Sequence, residues 1–138
     1  MSPSEPERWQ TPCFCMEHKD WTIKRKPYDL RERLFLFGCL TVRLAQFLQD
    51  RGKVASALSY QLLKSGTSAG ANYEEADGAS SSRDRREKRR IVLRELMETR
   101  FRLRVLRETG LLTEAHDPVI NETTELIRIV TTLIKKAS

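Results

Sequence analysis

From Leu30 onward the chain alternates apolar stretches of helical period with short polar punctuation. Leu30, Leu34, Phe37, Thr41, Leu44 and Leu48 step by fours and threes, and Leu40 and Phe47 widen the stripe. That rhythm predicts a helix with one buried face. Asp29, with Glu32 three residues on, has the form of a capping box at its start. Asp50-Arg51-Gly52 ends it, with Gly52 expected to supply the left-handed C′ residue. A second helix is predicted from Lys53 to Asp77, stopped by Gly78, with Val54, Leu58, Leu62, Ala69, Tyr73 and Ala76 as its apolar side. Its middle is small: Gly66, Ala69, Gly70 and Ala71. A glycine inside a helix costs roughly 1 kcal/mol against alanine, so either another backbone comes close there or the helix kinks.

Ala79-Ser80-Ser81-Ser82 is both linker and cap, Ser81 with Asp84 fitting S-x-x-D. The third helix runs to about Thr109 and stops at Gly110. Its seam is Val92, Leu96, Leu103 and Leu106, with Leu93, Met97 and Phe101 beside it. Asp117-Pro118 opens a fourth helix, carrying Val119, Ile120, Thr123, Leu126, Ile127, Val130, Leu133 and Ile134. Helices of ~20 residues are ~30 Å long. Four of them joined by short connections predict an all-α, antiparallel up-down-up-down four-helix bundle. The expected organisation is a flexible leader over residues 1–27 and the bundle over residues 28–138.

Composition narrows the function. The 138 residues suit one domain, with 39% hydrophobic and 32% charged residues. No window approaches the ~18–20 uncharged apolar residues of a spanning helix, so no membrane association is expected. Three cysteines, Cys13, Cys15 and Cys39, make no disulfide framework and point to a reducing compartment, the cytoplasm. No signal peptide is apparent, and Met16 offers a second possible start, making the first fifteen residues an extension. Cys13-x-Cys15-x-x-His18 lacks the spacing of a structural zinc site, so no metal or cofactor is expected. There is no Gly-rich phosphate loop, no Ser-His-Asp set and no HExxH, so no enzyme is expected. The glutamates Glu32, Glu74, Glu75, Glu95 and Glu98 could form an all-carboxylate site or, more commonly for such groups, answer arginines.

Two stripes carry the remaining chemistry. On the second helix Gln61, Ser65, Ser68, Asn72 and Glu75 follow a 4-3-4-3 spacing. Polar groups aligned this way either bond a neighbouring helix or another subunit, or contact a ligand. Ser65 and Ser68 can also bond back to carbonyls of the preceding turn. On the third helix the basic residues are Arg83, Arg85, Arg86, Lys88, Arg89, Arg90, Arg94, Arg100, Arg102, Arg104 and Arg107. Five acids, Asp84, Glu87, Glu95, Glu98 and Glu108, leave a local excess equal to the whole chain's net charge of +6. Arginine forks onto phosphate, which nominates Arg83, Arg85, Arg86, Arg89, Arg90, Arg94, Arg100, Arg104 and Arg107 for a nucleic-acid backbone. A solvated face with i,i+4 pairs, or a dock for an acidic protein, would use the same residues. With little aromatic interleaving in the sequence, binding is expected to be led by shape and charge, steeply salt-dependent, and without base stacking.

Tyr28-Asp29-Leu30-x-Glu32-Arg33 and the run from Gln61 to Ala76, Gln-Leu-Leu-Lys-Ser-Gly-Thr-Ser-Ala-Gly-Ala-Asn-Tyr-x-Glu-Ala, resemble a bacterial four-helix-bundle family. It includes proteins encoded in 23S rRNA intervening sequences and accessory variability determinants of diversity-generating retroelements. Arg94-Glu95-x-x-Glu98-Thr99-x-Phe101 and Glu108-Thr109-Gly110-Leu111-Leu112 are similar to its third helix and following turn. The resemblance covers about Tyr28 to the C-terminus. It implies the same bundle, a homopentameric ring, no catalysis, and, for retroelement members, binding of template RNA and reverse transcriptase through a basic surface. It also makes Gln61, Ser65, Ser68, Asn72 and Glu75 a family signature. Ala69 stands where a larger aliphatic is usual, and Arg85 and Arg102 stand where the family favours aromatics, which makes the third helix more basic than a generic member.

Overall fold

The computed structural model describes residues 21–23 and 26–136. Four helices follow one another: α1 Leu30–Gln49, α2 Lys53–Asp77, α3 Ser82–Glu108 and α4 Asp117–Lys136, with a 3₁₀ turn Glu114–His116 before the last. The ends lie where the punctuation put them. Asp29 Oδ1 accepts from the Arg31 amide at 3.1 Å, although Glu32 returns no bond to it among the described residues. Ser81 Oγ accepts from the Asp84 amide at 3.1 Å. Gly110, at φ 82°, closes α3 by donating to the Arg107 carbonyl at 3.2 Å.

Gly52 departs from its expected role. The C-cap of α1 is Asp50, and Gly52 caps α2 instead, with φ 104° and ψ 173°. That backbone region is essentially closed to residues with a Cβ. Glycine is required, but as an extended hinge into α2 rather than a left-handed stop for α1.

Consecutive helices are antiparallel. Thr41 meets Gly66 and Leu34 meets Gly70 across α1 and α2. Ser65 meets Thr99 and Glu75 meets Lys88 across α2 and α3, and Arg107 meets Asp117 at the α3–α4 corner. The core joins Leu34, Phe37, Leu40, Leu44 and Leu48 of α1 to Leu62 and Ala69 of α2, Val92, Leu96, Leu103 and Leu106 of α3, and Val119, Leu126 and Val130 of α4. The small middle of α2 is a point of close approach. A Cβ on Gly66 would lie 2.7 Å from Thr41 Cβ, whereas one on Gly70 would meet the Leu34 carbonyl oxygen at 3.4 Å. Helix α2 runs unbroken through both glycines.

Because α1 comes so near, α2 turns its small side inward. Ala55, Ser59, Leu62, Ser65, Gly66, Ala69 and Ala76 are buried, while Val54 is 67% exposed and Leu58 only partly buried. The apolar side predicted through Val54 and Leu58 therefore sits at the edge of the packed face. Met97 and Phe101, expected beside the α3 seam, are 49% and 58% exposed.

The packed unit begins before residue 28. Trp21 and Ile23 are buried in the core. Trp21 packs edge-on to Phe47 at 5.8 Å and beside His116 at 5.1 Å, centroid to centroid. The leader assigned to residues 1–27 thus contributes core residues at its end, because an indole can fill the gap between the end of α1 and the start of α4. Cys13, Cys15 and His18 lie outside the described residues.

Helices α1 and α4 are also joined by charge. Arg33, on the α1 face that carries Phe37 and Leu40, forks onto Glu122 with Nε–Oε2 2.9 Å and Nη2–Oε1 2.7 Å. Arg33 Nη2 also reaches Glu125 Oε1 at 2.9 Å, and Lys26 Nζ reaches Glu125 Oε2 at 3.0 Å and Glu122 Oε1 at 3.4 Å. Both Arg33 and Glu122 are buried. Two hydrogen-bonded cations hold the Glu125 carboxyl down to about 2.

Candidate nucleic-acid interface

Helix α3 presents an outward ridge because its apolar seam is narrow. With Val92, Leu96, Thr99, Leu103 and Leu106 turned inward, the opposite side is left to solvent. Arg83, Arg90, Arg94, Met97, Phe101 and Arg104 recur along that side at spacings of 7, 4, 3, 4 and 3, and all are exposed.

The α3 cations divide into two sets. Four have carboxylate partners: Lys88 with Glu75 at 2.8 Å, Arg90 with Glu87 at 2.8 Å, Arg102 with Glu98 at 3.6 Å, and Arg107 with Asp117 at 2.9 Å. The hydrogen bonds that Lys88 and Arg107 donate to Glu75 and Asp117 raise the pKa values of both cations. Arg83, Arg85, Arg86, Arg89, Arg94, Arg100 and Arg104 have no carboxylate within salt-bridge distance among the described residues. Arg85 Nε donates to the Ala76 carbonyl at 3.4 Å. Arg86 and Arg89 are half-buried, and their Nε atoms are withdrawn from solvent without a hydrogen-bond partner among the described residues. The excess charge is thus not neutralised by carboxylates among the described residues, and its exposed part lies on the ridge.

The polar stripe of α2 meets α3. Gln61 Oε1 accepts from Arg102 Nε at 3.2 Å, and Ser65 Oγ accepts from Thr99 Oγ1 at 2.8 Å while donating to the Leu62 carbonyl at 3.3 Å. Glu75 takes Lys88. Asn72 Nδ2 donates to the Ser68 carbonyl of its own helix at 2.8 Å rather than to an arginine. Three of the five signature residues therefore join α2 to α3. The carboxylates Glu32, Glu74, Glu75, Glu95 and Glu98 do not gather: among the described residues no three His, Cys, Asp or Glu side chains could hold a metal ion together. Nor is any described helix long and apolar enough to cross a membrane.

Two features escaped the sequence reading. The first is the buried Arg33–Glu122 pair; its signal is a pair of opposite charges at the core register of two helices, Arg33 in step with Phe37 and Glu122 in step with Val119 and Leu126. The second is an open groove of about 690 Å³ between α2 and α3, floored by Leu58, Leu93, Met97, Phe101 and Val105 and edged by Gln61, Arg90, Arg94, Glu98 and Arg102. It puts an exposed aromatic ring among arginines on a helix with little aromatic interleaving in its sequence.

Comparison with known proteins places the fold. A crystal structure of a protein of unknown function from the S23 ribosomal protein family of Bacteroides thetaiotaomicron is similar at a TM-score of 0.72 and 33% identity, covering 78% of this chain and 99% of the other. No curated protein matches the sequence. The profile of the 23S rRNA-intervening sequence proteins matches residues 36–132, from within α1 to near the end of α4. This chain therefore belongs to the 23S rRNA-intervening sequence protein family.

Proposed function

We propose that this protein is a non-catalytic, cytoplasmic RNA-binding module that works as a ring of bundles, a homopentamer, and grips structured RNA through the outward ridge of α3. The observation that supports this most is the set of α3 arginines with no carboxylate to answer them, among which Arg83, Arg94 and Arg104 stand exposed. Guanidinium groups left open at intervals of about three turns along one helix suit a phosphate backbone, with affinity dominated by counterion release. The test is a triple variant, Arg83→Glu, Arg94→Glu and Arg104→Glu. It should lose retention of a hairpin RNA at low salt while keeping wild-type helicity by circular dichroism. Unchanged retention would remove the basic-ridge reading.

Within that reading the partner is a reverse transcriptase and its template RNA, the protein being an accessory subunit of a diversity-generating retroelement. This step rests on the resemblance of the Gln61–Ala76 run. It predicts a reverse-transcriptase gene and a repeat pair beside this gene, and co-purification of the two proteins. A second reading, a structural oligomer encoded in an rRNA intervening sequence with no nucleic-acid partner, draws on the four α3 cations already paired within the bundle. Failure of hairpin RNA to bind at low salt would favour it.

A further inference from the structure

We propose that the groove between α2 and α3 seats an unpaired nucleobase of the bound RNA, stacked on Phe101, with the flanking phosphates held by Arg94 and Arg104. The inference rests on the RNA-binding reading and narrows its ligand to RNA with a bulged or looped-out base. Phe101 is 58% exposed and Met97 49%, side by side on the outward ridge. Both line the groove, with Leu58 of α2 opposite. A base has two flat π-faces that a fully paired duplex keeps stacked on its neighbours. Unpaired, one face can cover an aromatic ring, which is how proteins commonly read single-stranded positions in RNA.

The rim separates this groove from a plain apolar patch. Arg90, Arg94 and Arg102 edge it, and its one acid, Glu98, faces Arg102 at 3.6 Å. Arg94 has no carboxylate partner and precedes Phe101 by two turns. Arg104, likewise without one, follows Phe101 by one turn and lines a second groove of about 430 Å³ that shares Phe101 and Val105. Phe101 is thus a wall common to both grooves with an open guanidinium on either side, the order of charges that a sugar–phosphate strand needs around an extruded base. Gln61 adds an edge reader: its Oε1 accepts from Arg102 Nε at 3.2 Å, leaving the amide NH₂ to donate to a base carbonyl or ring nitrogen.

The test uses the full chain and two labelled RNAs, a hairpin with an unpaired bulge and the same hairpin fully paired. Wild-type protein should bind the bulged hairpin about tenfold more tightly, the range of one base–aromatic stack. Phe101→Ala should abolish that preference by lowering affinity for the bulged hairpin about tenfold, and Phe101→Trp should restore it. Circular dichroism and light scattering should show both variants folded and of wild-type mass. Equal affinity of wild-type protein for the two hairpins overturns the proposal while leaving backbone binding intact. So does a preference that survives Phe101→Ala. A change of mass in Phe101→Ala also overturns it, assigning the groove to another copy of the chain. Binding of neither hairpin at low salt sinks the wider RNA reading as well.

Discussion

A methyl group at Gly66 would have to displace Thr41, a fully buried residue held by its own bond to the Gly38 carbonyl at 2.7 Å. At Gly70 the nearest atom would sit at ordinary contact distance. Gly66→Ala should therefore destabilise the protein by about 1–3 kcal/mol, the usual cost of overpacking. Gly70→Ala should stay within about 1 kcal/mol of wild type, because alanine's helix propensity offsets a mild contact. Urea denaturation of the two variants checks the difference. The buried Arg33–Glu122 fork makes the opposite kind of demand. Arg33→Met should cost about 3–5 kcal/mol by stranding a buried carboxylate, and Arg33→Met with Glu122→Leu should recover most of it. The same denaturation series reads that recovery. Of these residues, the close approach at Gly66 was legible in the sequence, since small residues in a helix have few other uses. The Arg33–Glu122 pair was not. A periodicity of apolar residues passes over charged ones, and a buried charge makes sense only when both helices are in place.

Helices were the most legible level. Each boundary has a local cause: Asp29 and Ser81 accept first-turn amides, and Gly78 and Gly110 follow the last turns of α2 and α3. The inward face of α2 was less so, because its burial is set by how near α1 lies rather than by which α2 residues are most apolar. Acid should act on the junction of α1, α4 and the segment before α1. The Glu125 carboxyl, held at about 2 against an ordinary 4.5, stabilises the fold above about pH 4.5, and that contribution is lost as pH falls towards about 2. His116 adds to the trend. Burial among Trp21 and Phe47 lowers its pKa from the ordinary 6.5, and its Nδ1 accepts from the Thr113 amide at 3.0 Å, so the folded protein prefers the neutral ring. Its contribution is complete above pH 6.5 and declines below it. Denaturation midpoints should therefore fall from near-neutral pH downward, and Glu125→Gln should flatten the part below pH 4.5.

For the molecule as a whole, the excess of charge on one helix was plain from the sequence, and the structure divides it into paired and open sets. Two of the four pairs, Arg90–Glu87 and Arg102–Glu98, lie within α3, whereas the other two depend on Glu75 of α2 and Asp117 of α4 coming alongside, which composition could not give. The exposure of Phe101 was hidden for a related reason: one helical step from the seam can be core or surface, depending on how far the neighbouring helices wrap. If the open arginines hold phosphates, the logarithm of RNA affinity should fall linearly with the logarithm of salt, by roughly 0.7–0.9 per phosphate contacted. A single Arg104→Ala variant should flatten that line by about one phosphate's share in a salt titration.

Helix α4 lies along α3, and its backbone comes near α1 at few points, where the ion cluster of Arg33, Glu122 and Glu125 stands. A barrel with one stave fastened on a single side opens there first. As pH falls from about 4.5 towards 2 the amides of α4 should take up deuterium ahead of those in the other three helices, and a loosened last helix is the piece that two copies could exchange.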